Sequence, residues 1–232
     1  MSVTPAAHSS PDAPTKNFLQ RNVEILVAVL LGLVSIATAY ASFQSALYDG
    51  AMTQNYTVGS NLATEAESLY LEGNQQYFQD AQLYDRLTDL ALDSANPDPA
   101  IAAAAQEKYD VLYFQSVSDE FGAAIDWADE QNAADPDLYY SPLDNEDYLD
   151  FNYGAYSEQK ALGDETLKKG DVANGLSDRL TLNTVLMAIS LFLLGIAAVV
   201  SAFRVKIIMG SVAIMIFLTA AVLTAFIPFI GL

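Results

Sequence analysis

The chain has 232 residues, no cysteine, one histidine and a formal net charge of −19 from 29 Asp/Glu against 10 Lys/Arg. Without cysteine there is neither a disulfide nor a thiolate metal site, and so much acid opposes binding to nucleic acid or to anionic lipid headgroups through the acidic part. The length allows one modest extramembrane domain beside a membrane part.

Residues 1–22 open with MSVTPAAHSSPDAPTKNFLQ, rich in Pro, Ala and Ser. This composition predicts a flexible cytoplasmic tail, and His8 within it reads as a tail residue rather than a ligand or base. Residues 25–47, ILVAVLLGLVSIATAYASFQSAL, carry no charge. About 20 mostly apolar residues cross a bilayer as a helix, which sets a first span over 23–44. The run is too long for a secretory signal and lacks a clear processing site, so it reads as a retained span. Glu24 lies one turn from Arg21 and is expected in the interface with that basic neighbour.

Small residues at Gly32, Ser35, Ala39, Ser42 and Ala46 form one stripe on this span. Such stripes let helices approach closely. Two readings follow: packing against the other spans of the same chain, or a contact between copies in a homo-oligomer.

Residues 45–181 hold 27 of the acids and only 6 Lys/Arg. They read as helices separated by two turn-rich breaks. The first helix continues out of the span, with Tyr70, Tyr77, Tyr84 and Ala91 recurring every seven residues and Leu62, Ala66, Leu69 and Gly73 forming a neighbouring seam. Were residues 23–93 one helix, it would be about 105 Å long at 1.5 Å per residue. Asn96-Pro97-Asp98-Pro99 ends this helix, and a second is predicted over 99–132 with Trp127 as a packing anchor. A further break over 134–145 contains Asp135-Pro136-Asp137 and Ser141-Pro142. A third helix over 145–180, with an apolar stripe that includes Tyr148, Phe151 and Leu162, leads to the second span. Three segments would leave the chain at the wrong end, so a fourth is needed. The extra reversal is expected near Gly50 or Gly59, or near Gly163 or Gly170, since glycine weakens a helix interior by roughly 1 kcal/mol.

Spans two and three are read at 182–203 and 207–230, joined by the turn 204–206 with Arg204 and Lys206. Lys16, Arg21, Arg204 and Lys206 flank the same side, which the positive-inside rule makes cytoplasmic. Residues 45–181 and the C-terminus are then extracytoplasmic, in a multi-pass protein of the plasma membrane. The fold class is all-α: three transmembrane helices with an acidic helical bundle between the first two.

The chemistry available is narrow. No phosphate-binding glycine loop, His-Glu metal motif or nucleophile elbow occurs, and residues 45–181 contain no histidine. Carboxylate pairs of the glycosidase kind arise by chance among so many acids. Asn55-Tyr56-Thr57 is a sequon that matters only in a glycosylating pathway. Asp135, Asp137, Asp144, Glu146, Asp147 and Asp150 cluster around the second break, and six oxygen-bearing side chains match the six to eight oxygens that Ca²⁺ takes. Their spacing differs from the helix-loop-helix calcium pattern and lacks its central glycine. The leading reading of these residues is a solvated acidic loop; calcium is the one metal they suit, and no other cofactor is implied.

The stretch Ala37–Ala81, in which a small-residue span runs straight into a Gln/Tyr-rich helix, together with Arg204 and Lys206 between two closing spans, resembles a group of small, uncharacterised prokaryotic three-span membrane proteins with a helical extramembrane segment. This chain is more acidic and its outer segment longer than in that group. The resemblance implies the architecture and supplies no catalytic residue. The residues thus point to a non-enzymatic envelope protein acting through its outer helices on itself or a partner. The alternatives are an oligomeric ion channel or transporter accessory subunit, and a membrane-tethered cation or ligand sensor.

Overall fold

The computed structural model describes residues 18–231, and all regular structure there is helical. The tail expected over 1–22, with His8 and Lys16, lies almost wholly outside the described residues. The elements are α1 (Phe18–Ser94), α2 (Pro99–Ser116), α3 (Asp119–Ala134), α4 (Glu146–Val199) and α5 (Phe203–Ala225), with a 3₁₀ turn at Pro142–Asp144.

The helix ends follow from local chemistry. Asp98 caps α2, its carboxylate accepting from the Ala100 N–H at 2.9 Å, and Pro99 takes the first helical position. The helix expected over 99–132 is in fact two. Val117 is extended and Ser118 caps α3, its hydroxyl accepting from the Phe121 N–H at 3.1 Å. Asn145 caps α4 by accepting from the Tyr148 N–H at 2.9 Å. Asn132 clamps the loop before it, donating to the Tyr140 carbonyl at 2.9 Å and accepting from the Tyr140 N–H at 2.8 Å. Half-buried Trp127 meets the Tyr140 ring edge-on at 6.0 Å, the anchoring role its position suggested.

This places the extra reversal at Val117–Ser118. The four-segment count holds, but the break points named for it do not: α1 and α4 run unbroken through Gly50, Gly59, Gly163 and Gly170.

The chain forms two compact units, one from residues up to Met52 together with Asp171 onward, the other Thr53–Gly170. In the first, Val34, Ala41 and Tyr48 of α1, Leu180, Met187 and Leu194 of α4, and Ala213 and Ala220 of α5 form the core. Each set recurs at seven-residue intervals, the seam spacing of helices packed side by side. Large apolar side chains on the opposite faces stay exposed, among them Leu33, Ile36 and Phe43 of α1, Ile189 and Phe192 of α4, and Met215 and Leu218 of α5. An apolar exterior around an apolar core is what a bilayer selects and water does not. Three helices here are long and apolar enough to cross one: Asn22–Ser94, Glu146–Val199 and Phe203–Ala225. The protein has the architecture of a multi-span membrane protein.

Most polar groups inside this unit bond to one another, as a low-dielectric interior demands, while the buried Thr224 hydroxyl has no partner among the described residues. Ser190 donates to the Ala213 carbonyl at 2.8 Å, and the Ser45 hydroxyl lies 2.9 Å from that of Ser177 and 3.0 Å from that of Thr181. Gln44 accepts from the Ile230 N–H at 3.0 Å and donates to the Ile230 carbonyl at 3.2 Å, while Tyr48 donates to the Pro228 carbonyl at 2.7 Å. The residues after α5 are thereby tied to α1. Glu24 pairs with the buried Lys206 at 3.5 Å, and Lys206, read as part of a turn over 204–206, lies in the first turn of α5; the Arg21 side chain is outside the described set.

The small-residue stripe faces away from this core. Gly32, Ser35, Ala39, Ser42 and Ala46 are all exposed, and nothing lies within 4 Å of a side chain added at Gly32. The intrachain-packing reading is therefore overturned. The packed face of α1 runs through Val27, Val34, Ala41, Ser45 and Tyr48, because that side carries the seven-residue seam and the buried hydroxyl bonds.

In the second unit, α1 buries Gly59, Ala66, Gly73, Asp80 and Leu87, again one residue in seven. Glycine here serves approach rather than bending. A Cβ at Gly59 would lie 2.8 Å from Leu167, one at Gly170 2.6 Å from Tyr56, and one at Gly73 only 2.3 Å from the Asn152 carbonyl oxygen. These contacts make α1 and α4 antiparallel neighbours. Beyond them, Leu87, Phe121, Ala124, Ile125 and Tyr148 close a second core. The tyrosine row flanks the seam rather than forming it: Tyr70 leans on Tyr153 and Tyr156, with ring centroids 6.0 and 5.1 Å away, and Ala91 is exposed.

Candidate partner-binding surface

The close approach at Gly73 sets the floor of a groove between α1 and α4 in the Thr53–Gly170 unit. Its volume is about 790 Å³, and its walls include Leu71, Gln75, Gln76 and Gln79 of α1 with Phe151 and Ala155 of α4. Leu71 is 65% exposed and Phe151 58%, and Phe78, on the same α1 surface, is 62% exposed. Phe151 and Leu162 were expected in the apolar stripe packed inside the bundle, yet both point outward, because the Gly73–Asn152 contact fixes which face of α4 meets α1.

A buried polar cluster holds the α1 wall in place. Asp80 is 2% exposed, and both its oxygens accept from Gln76 Nε2 at 3.0 Å. The Tyr148 hydroxyl, from α4, donates to Asp80 Oδ2 at 2.7 Å. Burial, and then the Asp80 carboxylate, push the Tyr148 phenol well above the usual tyrosine range. Tyr153 donates to Asn74 at 3.0 Å one turn along. The groove is thus a concavity edged by apolar knobs, amides and the Glu72 carboxylate.

Two other concavities lie in this unit. One, of about 740 Å³ between α1 and α2, is lined by Arg86, Asp89, Glu107 and Lys108, a mixed-charge surface beside Val111. The other, of about 350 Å³, sets Tyr109 and Tyr113 among Asp110, Asp126 and Asp129, with the two rings stacked at 5.9 Å. Burial first, then nearby carboxylates, raise both phenols.

The six acids around the second break have local roles. Asp135 caps the end of α3 and accepts from the Asp137 N–H at 3.2 Å, Asp144 sits in the 3₁₀ turn, and Glu146 and Asp147 occupy the first turn of α4, where the helix dipole favours them. Asp150 lies on α4 one turn before Gly154. Among the described residues no three His, Cys, Asp or Glu side chains are grouped to hold a metal ion. The sequence marked neither Leu71 nor Phe78. Their signal, a seven-residue interval on the side opposite the seam, is visible only once the seam is known.

No family model, curated protein or solved structure matches the chain, so the likeness to three-span membrane proteins stands on architecture alone.

Proposed function

We propose that the protein is a non-enzymatic membrane component that docks another protein on the α1–α4 groove of Thr53–Gly170. The carrying observation is the exposure of Leu71 and Phe151 in the lining of a groove, in a segment otherwise rich in carboxylates. Exposed apolar residues gathered on a polar protein mark interaction sites. Two antiparallel helices with a groove between them offer the seat for a third helix, read through apolar anchors one and two turns apart. The occupant this surface suits is an amphipathic helix of a basic partner. A second copy is disfavoured at this groove because like charge repels. With the basic flanks held in the cytoplasm, that partner is extracytoplasmic and the protein belongs to the cell envelope.

Photo-crosslinkers placed at Gln79 and Phe151, both in the groove lining, in the membrane-embedded protein test this. The expected result is one crosslinked partner of basic character, lost when Leu71→Asp is added. Crosslinks only to the same chain, or none at either position, would overturn it.

The outward stripe of Gly32, Ser35, Ala39, Ser42 and Ala46 favours a second contact, between copies in the membrane. The chain has no native cysteine, so Ala39→Cys provides a clean readout. Oxidation is expected to give a covalent dimer, which Ser42→Leu abolishes. A purely monomeric product refutes this contact.

A further inference from the structure

In the first unit, α4 and the end of α5 bound a separate groove of about 360 Å³. Its apolar walls are Leu182, Leu223, Phe226 and Ile227, and its polar residues are Arg179 and Asn183. Asn183 is only 3% exposed, makes no side-chain hydrogen bond to another described residue, and lines the groove, where its amide is open to a ligand. Arg179, one turn earlier on the same face, is exposed and forms no ion pair among the described residues. It immediately precedes the uncharged run that begins at Leu182. The groove therefore has a cation at the polar edge of a membrane helix, an amide one turn deeper, and hydrocarbon walls beyond.

We infer that this groove binds a membrane glycerophospholipid, with its phosphodiester held by Arg179 and Asn183 and its acyl chains laid along Leu182, Leu223, Phe226 and Ile227. A guanidinium matches two phosphate oxygens with two parallel N–H donors, and the amide supplies another donor. The phosphate of a bilayer lipid lies at the depth where an arginine flanking a span sits. The volume admits the phosphate, the glycerol and the first methylenes, leaving the rest of the chains in the bilayer. Asp178 beside Arg179 and the acid-rich composition oppose a diffuse anion-attracting field. Recognition rests instead on direct bonds to the phosphodiester and on chain burial, so zwitterionic and anionic phospholipids both bind. The bound lipid would join α4 to the residues after α5 that Gln44 and Tyr48 hold from the other side.

Native mass spectrometry of the full chain during stepwise detergent delipidation tests this. One phospholipid is expected to stay with the wild type. Arg179→Gln is expected to reduce its retention roughly tenfold, the equivalent of one charge-assisted hydrogen bond. Arg179 is exposed, so this variant keeps the fold, and unchanged circular dichroism verifies it. Asn183→Asp, which sets a negative charge against the phosphate, is expected to lose the lipid as well. Diacylglycerol, with the same chains and no phosphate, is expected to dissociate with the first exchange, and inorganic phosphate is expected not to displace the phospholipid. Equal retention by wild type and Arg179→Gln, equal retention of diacylglycerol, or displacement by inorganic phosphate would each overturn the inference.

Discussion

Gly73→Ala tests the packing of α1 on α4 most directly. The added Cβ would lie 2.3 Å from the Asn152 carbonyl oxygen and 3.2 Å from its carbon, where ordinary contact begins at 3.4 Å. The obstacle is backbone inside a helix, so it cannot rotate away, and the two helices must separate by about 1 Å, a gap that forfeits a quarter to a half of each neighbouring dispersion contact. The Tyr148–Asp80 bond at 2.7 Å and the Tyr153–Asn74 bond at 3.0 Å flank the site and would be stretched. Overpacking of this kind costs about 1–3 kcal/mol. Alanine returns roughly 1 kcal/mol of helix propensity, so with a backbone obstacle at the upper end of that range the net loss is about 1–2 kcal/mol. Gly50→Ala is the control: nothing lies within 4 Å of its Cβ, and a gain of about 0.5–1 kcal/mol is expected. Hydrogen exchange of the α4 amides near Asn152, read in detergent or nanodiscs, reports the local stability. Exchange in Gly73→Ala as slow as in the wild type would refute the close approach and the groove floor built on it.

Tyr148→Phe removes a donor from the buried Asp80 carboxylate and is expected to cost about 1.5–3 kcal/mol, measured by the same exchange experiment. Alkaline titration supplies an independent check. The folded state holds the Tyr148 phenol above its ordinary value of 10.0, so this contribution is complete below pH 10. Above that the unfolded phenol ionises first, and stability falls by about 1.4 kcal/mol per pH unit. Tyr148→Phe should remove that share of the slope, and an unchanged slope counts against the buried phenol. Gln44→Leu cuts both bonds to Ile230, and in this cysteine-free chain a reporter Ile230→Cys should react with a thiol reagent roughly tenfold faster, as for one lost hydrogen bond. For orientation, Tyr139→Cys is expected to label with an impermeant reagent on intact cells and Ser201→Cys only after lysis. The reverse pattern would invert the topology.

The spans were legible because a bilayer imposes a crude demand, some twenty apolar residues without charge, and three helices meet it; the bounds were not, since the third helix runs Phe203–Ala225 rather than 207–230. The break at Asn96–Pro99 was legible because proline and an Asx cap act locally. The reversal at Val117–Ser118 was not. It has no proline or glycine, and Ser118 reads as a cap only when the chain on either side is known to turn. Glycine was the main source of error. The same residue weakens a helix and lets two helices touch, and only the neighbour decides which: Leu167 at Gly59, Asn152 at Gly73, Tyr56 at Gly170. The stripe at Gly32–Ala46 failed likewise, since small side chains mark a possible contact without saying which surface supplies it. Of the α1–α4 groove, Leu69 and Gly73 were noted beforehand as seam residues and Phe151 for the opposite face.

Asp80 has one more consequence. The buried row Gly59, Ala66, Gly73, Asp80 repeats every seven residues, so a two-turn slide of α4 along α1 would keep the seam facing its partner. Such a slide would set Ala66 against Leu167, where Gly59 had been, and Asp80 against the Asn152 carbonyl, where Gly73 had been, and sterics oppose both. It would also strand the Asp80 carboxylate without the Tyr148 hydroxyl, a loss of several kcal/mol for an uncompensated buried charge. A single acid in the dry seam thus acts as an alignment key, making one pairing of two long, repetitive helices the stable one.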